Sequence, residues 1–264
     1  MIAGLSVTVH SYKGGTGKSI VSANLAQSFS TLGKTALIDS DCLSPCLEAF
    51  FEKTAGEKTF LDFLEGNAEI KDIPRKTEYE NLWLLPAPPA KIGKDVLAKD
   101  RQWHSKALQR LLHGIAELRK EYAYVIIDNQ SGISLLATNN LAASEASLLV
   151  LRPVSYGMEG TAFLMGTLYQ KLRHLTATTR ERKDYVLWNQ VPSGDTNAVK
   201  DALAIWNTKY QEKGLAILPM IPYQDDISLA MLLQRGSGIF ASSHPFKRVI
   251  QEVRDVLLKD SLEN

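Results

Sequence analysis

The chain has little cysteine, no long apolar run and almost no net charge, and each shortage removes a class of protein. Only Cys42 and Cys46 occur among 264 residues. A disulfide-built secreted scaffold is therefore excluded, and a C-x-x-x-C pair with no nearby histidine is half of a metal site at best. No stretch of 18 apolar residues exists, so no membrane-spanning helix is expected. Lys plus Arg number 30 against 29 Asp plus Glu, a formal charge of +1. That balance argues against a surface built throughout for nucleic acid or anionic lipid, although a local patch remains compatible with it. The first residues enter a strand pattern without a basic segment or cleavage site, so the chain is expected to be cytoplasmic. Repeats, low-complexity tracts and linkers are also missing, and the length suits one large α/β domain over residues 1–264.

What is present is concentrated in one heptad, Lys13-Gly14-Gly15-Thr16-Gly17-Lys18-Ser19. Glycines allow backbone N–H groups to converge on a phosphate chain, because no Cβ stands in the way. Lys18 can reach terminal phosphates, and the Ser19 hydroxyl can hold Mg2+. The general loop G-x-x-x-x-G-K-[ST] asks for glycine at position 12, where this chain has Tyr12 and then a second lysine, Lys13. Upstream, Leu5–His10 alternates around β-branched residues and reads as a strand. Downstream, Ile20, Val21, Ala23, Leu25, Ala26 and Phe29 recur at helical spacing, with Gly33 as the stop. Strand, glycine loop and helix in that order form a nucleotide-binding unit, with the positive end of the helix dipole at the loop.

Further strands are expected at residues 35–39, 82–85, 124–128, 147–152, 185–190 and 215–221, separated by helices. A long helix should span residues 104–120, with Leu108, Leu111, Leu112, Ile115 and Leu118 on one face. Near-continuous Val/Ile/Leu strands are buried on both faces. The expected fold is therefore a three-layer α/β P-loop domain, its twisted, mostly parallel sheet covered by helices on both sides. The less regular stretches, 50–75 and 86–100, are expected as surface loops or as the border of the ligand crevice.

Asp39 and Asp128 each end an apolar strand, and Asp41 follows two residues after the first. A buried carboxylate at a strand end is costly unless a cation stands close, and hydrated Mg2+ is suited to that place. Asn189 closes another strand, where its amide could donate to and accept from an adenine edge. A guanine reader of the [NT]-K-x-D type is missing, since Asn189-Gln190-Val191-Pro192 has no Asp. ATP is expected rather than GTP.

The heptad resembles the deviant Walker A loop of the ParA/MinD ATPases. So do the segments Leu37–Asp41, Val125–Asp128, Val186–Asn189 and Ile221–Asp225, followed by Ala230 and Gly236. The resemblance spans roughly residues 3 to 257. It implies that residues 13–20 (Lys13, Gly14, Gly15, Thr16, Gly17, Lys18, Ser19 and Ile20) contact the nucleotide, with Asn189, Pro222 and Tyr223 walling the base. It also implies that Asp39 and Asp128 hold Mg2+ through water, that Asp41 orients the attacking water, and that Lys13 reaches across a dimer interface to the partner's phosphates. An ATP-dependent homodimer and an activating protein partner follow, as does hydrolysis of ATP in the service of positioning DNA, a division site or other cargo.

The family's usual Thr-Pro-Pro-Gly-like stretch is replaced here by Asn129-Gln130-Ser131-Gly132, which is expected to be looser without proline. The tail ends Asp260-Ser261-Leu262-Glu263-Asn264, so direct membrane anchoring is not expected. The helix before it, with Phe246, Val249, Ile250, Val253 and Leu257 in one stripe, should pack on the domain instead. Lys171, Arg173, Arg180, Arg182 and Lys183, interrupted by Glu181, form the best local basic cluster. It is either a solvated helix end or a site for nonspecific DNA. A metallochaperone ATPase is the second functional class, and it would use Cys42 and Cys46 in a site shared by two subunits. A tyrosine autokinase would need a tyrosine-rich tail that this sequence lacks.

Overall fold

The computed structural model describes residues 4–52, 56–154, 158–175, 182–233 and 238–263. Gly236, Arg180 and Glu181 lie outside them. Strands β1 (Leu5–His10), β2 (Thr35–Asp39), β3 (Arg75–Lys76), β4 (Leu82–Leu85), β5 (Tyr124–Asp128), β6 (Ala146–Leu151), β7 (Lys183–Trp188) and β8 (Ala216–Ile217) form one sheet. Their spatial order is β3-β4-β2-β5-β1-β6-β7-β8. Among the described residues only β3, antiparallel to β4, breaks the parallel arrangement. β5 lies between β1 and β2, while β6 takes the other side of β1. The chain thus winds outward in both directions from β1, and the crevice beyond the carboxyl ends of these central strands is where such sheets bind ligands.

Alternation along the strands divides the core. Val7, Leu37, Ile126, Leu148 and Leu187 face α1 (Lys18–Ser30) and α9 (Pro245–Leu262). On the other face, Ala36, Ile38, Val125 and Ile127 pack against α2 (Phe60–Glu65) and α4 (Arg101–Glu121). Leu149, Leu151, Val186 and Trp188 meet α6 (Met158–Leu175) and α7 (Thr196–Gln211). Helices therefore cover both faces, as the apolar strands required.

The expected strand over 215–221 shrinks to two residues. Pro219 has no N–H to continue the ladder, so only scattered bonds persist, such as Leu218 N–H to Val186 O and Ile221 N–H to Trp188 O. β7 also ends before Asn189, because Gln190 turns the backbone to φ 58°. Stretches 50–75 and 86–100 contribute core: Phe60, Phe63, Leu64, Ile70 and Ile73 are buried against α4. Gly93, in α3 (Ala90–Gly93), is seated on the Cys42 backbone, where a Cβ would lie 1.8 Å from the Cys42 carbonyl oxygen. Cys42 is buried beneath it and Cys46 is exposed, both as free thiols.

Along α9 the stripe Phe246, Ile250, Val253 and Leu257 is buried against α1, as the sequence pattern required. Lys247 is buried with it, donating from Nζ to Asn24 O at 2.7 Å. Burial, with Arg254 nearby, pushes its pKa down to about 7. The unfolded chain therefore binds the extra proton between about pH 7 and the ordinary lysine value of 10.5, and stability rises with pH across that window. The expected slope from this one group is about 1.4 kcal/mol per pH unit inside the window. Urea midpoints at pH 7 and pH 9.5 should differ more in the wild type than in Lys247→Met, and equal differences would contradict the assignment.

The basic cluster is largely spent inside the fold. Arg182 is buried, pairs with Asp184 at 2.9 Å and donates to the Leu141 and Ser144 carbonyls. Arg173 pairs with Asp184 and bonds Lys213 O, while Lys183 lies 3.8 Å from Asp260. Of the described members, Lys171 is exposed. Arg182 is thus a structural group and not part of a solvated end.

Candidate nucleotide site

The heptad runs from the end of β1 into α1, and its conformation depends on glycine. Gly15 (φ 76°) and Gly17 (φ 81°) adopt left-handed backbone. At Gly17 a Cβ would also meet Asn189 Nδ2 at 2.4 Å. Lys13, Gly14 and Gly15 are exposed at the mouth, whereas Thr16 and Lys18 are buried. Thr16 Oγ1 is shielded from solvent without a hydrogen-bond partner, an orphaned polar atom inside the loop that an anion's proton-poor oxygens or its hydration could engage.

Lys18, Ser19 and Asp128 come together as the sequence implied. Lys18 Nζ donates to Asp128 Oδ1 at 3.0 Å and to Ser19 Oγ at 3.2 Å, and Ser19 Oγ donates to Asp128 Oδ2 at 2.8 Å. Burial opposes the charge on Lys18, but the Asp128 carboxylate outweighs it and holds the ammonium above its usual range. Ser22 adds a fourth contact, Oγ to Asp128 Oδ1 at 2.6 Å. Sequence reasoning missed Ser22, although its position one helical turn beyond Lys18 and Ser19 was a legible signal.

Asp39 and Asp128 stand in register on the adjacent strands β2 and β5. Asp39 accepts from the backbone of Asp41 at 3.1 Å, Cys46 at 3.3 Å and Leu47 at 3.1 Å. Burial, then the charge of Asp128, pushes its pKa to about 7 against those bonds. Two buried carboxylates and a serine hydroxyl form a hard oxygen set suited to Mg2+, which would relieve this repulsion. Asp41 is half-buried at the mouth, where Oδ1 accepts from Ser44 N at 3.0 Å.

Beside the loop opens a cleft of about 360 Å3 lined by Gly15, Gly17, Ile20, Asn189, Pro222 and Tyr223, with Ile227 and Met231 from α8 (Asp225–Leu232). The bridge between Val191 and Pro222, and the bond from Tyr223 N–H to Val191 O at 2.7 Å, join the two walls. Ile20, Asn189, Pro222 and Tyr223, remote in sequence, are thus brought to one place. Asn189 also reaches the loop, one Nδ2 hydrogen donating to Thr16 O at 2.8 Å.

The loop after Asp128 is better anchored than the missing prolines led us to expect. Asn129 is buried, its Nδ2 donating to Ala137 O and its Oδ1 accepting from Asn140. Gln130 donates to Ser134 Oγ, and Ser131 meets Ser11 at 3.0 Å. His10, fully buried at the end of β1, donates from Nε2 to Gly132 O at 2.6 Å. Its Nδ1 then accepts from the Tyr169 hydroxyl at 3.2 Å. Burial lowers its pKa to about 4, so it acts as a neutral tether. Side-chain hydrogen bonds stand here in place of proline as anchors of the loop.

A parallel sheet with a glycine loop between its central strand and first helix, and with lysine, serine and aspartate converging behind that loop, defines a P-loop nucleotide-binding domain. Residues 5–181, more than half of the chain, match the sequence family described as an AAA domain. The sporulation initiation inhibitor protein Soj of Bacillus subtilis is 29% identical over 174 residues, 65% of this chain and 68% of Soj. The chromosome partitioning protein ParA of Caulobacter vibrioides is 28% identical over 164 residues, 61% of each chain, so the matched stretch spans under two thirds of that relative. The septum site-determining protein MinD from Pyrococcus horikoshii, solved with Mg-ADP, shares the fold at a TM-score of 0.70, with 21% identity and 97% of each chain covered. This chain belongs to the ParA/MinD family of P-loop ATPases.

Among the described residues no helix is long and apolar enough to cross a membrane. Nor does any group of three or more His, Cys, Asp or Glu among them form a metal-holding cluster.

Proposed function

We propose that this chain is an ATP-binding and ATP-hydrolysing dimerisation switch, which positions DNA, a division site or another cargo. The observation that carries the reading is the pair of lysines on one phosphate loop. Lys18 lies buried against Asp128, whereas Lys13 stands exposed at the mouth. One ammonium is placed for the chain's own phosphates, and the other is presented outward, where a second protomer's phosphates would meet it.

Mg2+ supplies charge neutralisation at the phosphate oxygens when bound. Ser19 would hold it, with Asp39 and Asp128 reaching its water shell. Lys18 stabilises charge that develops on the transferred phosphoryl group, and Asp41, at the mouth of the same crevice, orients the attacking water. Phosphoryl transfer needs positioning and charge more than a strong base, so a half-buried carboxylate is adequate for that role. Loss of the γ-phosphate would then remove what the two protomers share, and the anchored loop at residues 129–132 would carry the change outward.

Lys13→Ala tests the reading. The variant is expected to bind ATP within about threefold of wild type, since a rim charge contributes modestly to affinity, yet to stay monomeric by light scattering with a nonhydrolysable analogue. A variant that dimerises like wild type would remove the ground for a lysine acting in trans.

A further inference from the structure

Two consecutive side chains leave the end of β7 and reach the same stretch of the phosphate loop. Asn189 Nδ2 donates to Thr16 O at 2.8 Å, and Gln190 Nε2 donates to Gly15 O at 3.2 Å. Neighbouring side chains normally point apart. Here the left-handed backbone at Gln190, φ 58° in a residue other than glycine, brings both to one side. The turn is pinned on either flank, by Asn189 N–H to Leu151 O at 2.7 Å and by Val191 N–H to Ile221 O at 3.0 Å. Asn189 is buried, and Gly17 is the only residue type that leaves room for its amide. The amide's orientation follows from chemistry, because a reversed group would set two oxygens against each other.

Peptide planarity gives these bonds a consequence. In a trans peptide the carbonyl of one residue and the N–H of the next point in opposite directions. With the carbonyls of Gly15 and Thr16 drawn toward the end of β7, the N–H groups of Thr16 and Gly17 are turned the other way. We propose that Asn189 and Gln190 are positioning residues that clamp the phosphate loop, fixing its N–H groups for the triphosphate whatever base is attached. The proposal rests on the reading of this loop as a triphosphate site. It adds to the role expected of Asn189: one of its two amide N–H groups goes to the loop, and the other, with Oδ1, remains to meet a base.

Binding of ATP, GTP and inorganic tripolyphosphate, each with Mg2+, separates the two roles by calorimetry on the full chain. Gln190→Gly keeps the backbone turn accessible while deleting the amide, and so avoids a folding defect. It should weaken all three ligands by a common factor of about three to ten, with the thermal midpoint unchanged or raised. Asn189→Ala should weaken all three by about tenfold, tripolyphosphate included. Loss confined to ATP, with tripolyphosphate bound normally, would overturn the clamp in favour of base reading. Wild-type affinity for all three in Gln190→Gly would overturn it too. Should the unmodified protein bind none of the three, the triphosphate reading itself falls, and the clamp with it.

Discussion

Lys18→Ala is expected to abolish nucleotide binding. The ammonium is buried and held toward the loop by Asp128 at 3.0 Å and Ser19 at 3.2 Å. Removing a desolvated charge that faces another charge costs about 2–5 kcal/mol, or about 30- to 5000-fold in affinity. A second effect should accompany the first. Asp128 remains buried with the hydroxyls of Ser19 and Ser22 but loses its cation, and breaking such a pair costs about 3–5 kcal/mol of stability. Calorimetric titration with ATP and a thermal melt read the two effects separately. Affinity within a factor of three of wild type would mean that the phosphates do not sit against Lys18.

Asp41→Ala should leave binding close to normal and stop turnover. Asp41 shapes no buried pair: its Oδ1 accepts from Ser44 N at 3.0 Å, and its own N–H donates to Asp39 at 3.1 Å. Truncation therefore removes a carboxylate from the mouth without collapsing the loop. Loss of a group that positions or deprotonates an attacking water lowers turnover by about 10²–10⁴-fold. The variant should accumulate as an ATP-bound dimer, visible by light scattering, while single-turnover phosphate release becomes undetectable. A monomeric profile in ATP, or normal phosphate release, would remove Asp41 from the mechanism.

The legible part of the site was the part written locally. The heptad, its strand and its helix are contiguous, so spacing alone located Lys18 and Ser19 and pointed to a phosphate. Asp39 and Asp128 were legible because each ends an apolar strand, and in a parallel sheet such ends lie at one edge. Asn189 was legible at its strand end, but its bond to the phosphate loop was not. That bond depends on the backbone angle of Gln190 and on the missing Cβ of Gly17, which stands 172 positions away in sequence.

Charge patterns misled for a similar reason. Arg173, Arg182 and Lys183 read as one exposed basic run, yet Asp184 and Asp260 consume them within the fold. The loop at 129–132 read as loose because proline was absent. It is instead hydrogen-bonded to His10, Ser11, Ala137 and Asn140, and no local pattern announces those partners.

By itself, then, the sequence determined the α/β class, the place of the phosphate loop and the family, since periodicity and glycine spacing act over a few residues at a time. Only the tertiary structure decided which carbonyls Asn189 and Gln190 hold, what tethers the loop after Asp128 and which cations are already spent. Those outcomes depend on distances between segments far apart in the chain, and folding alone sets such distances.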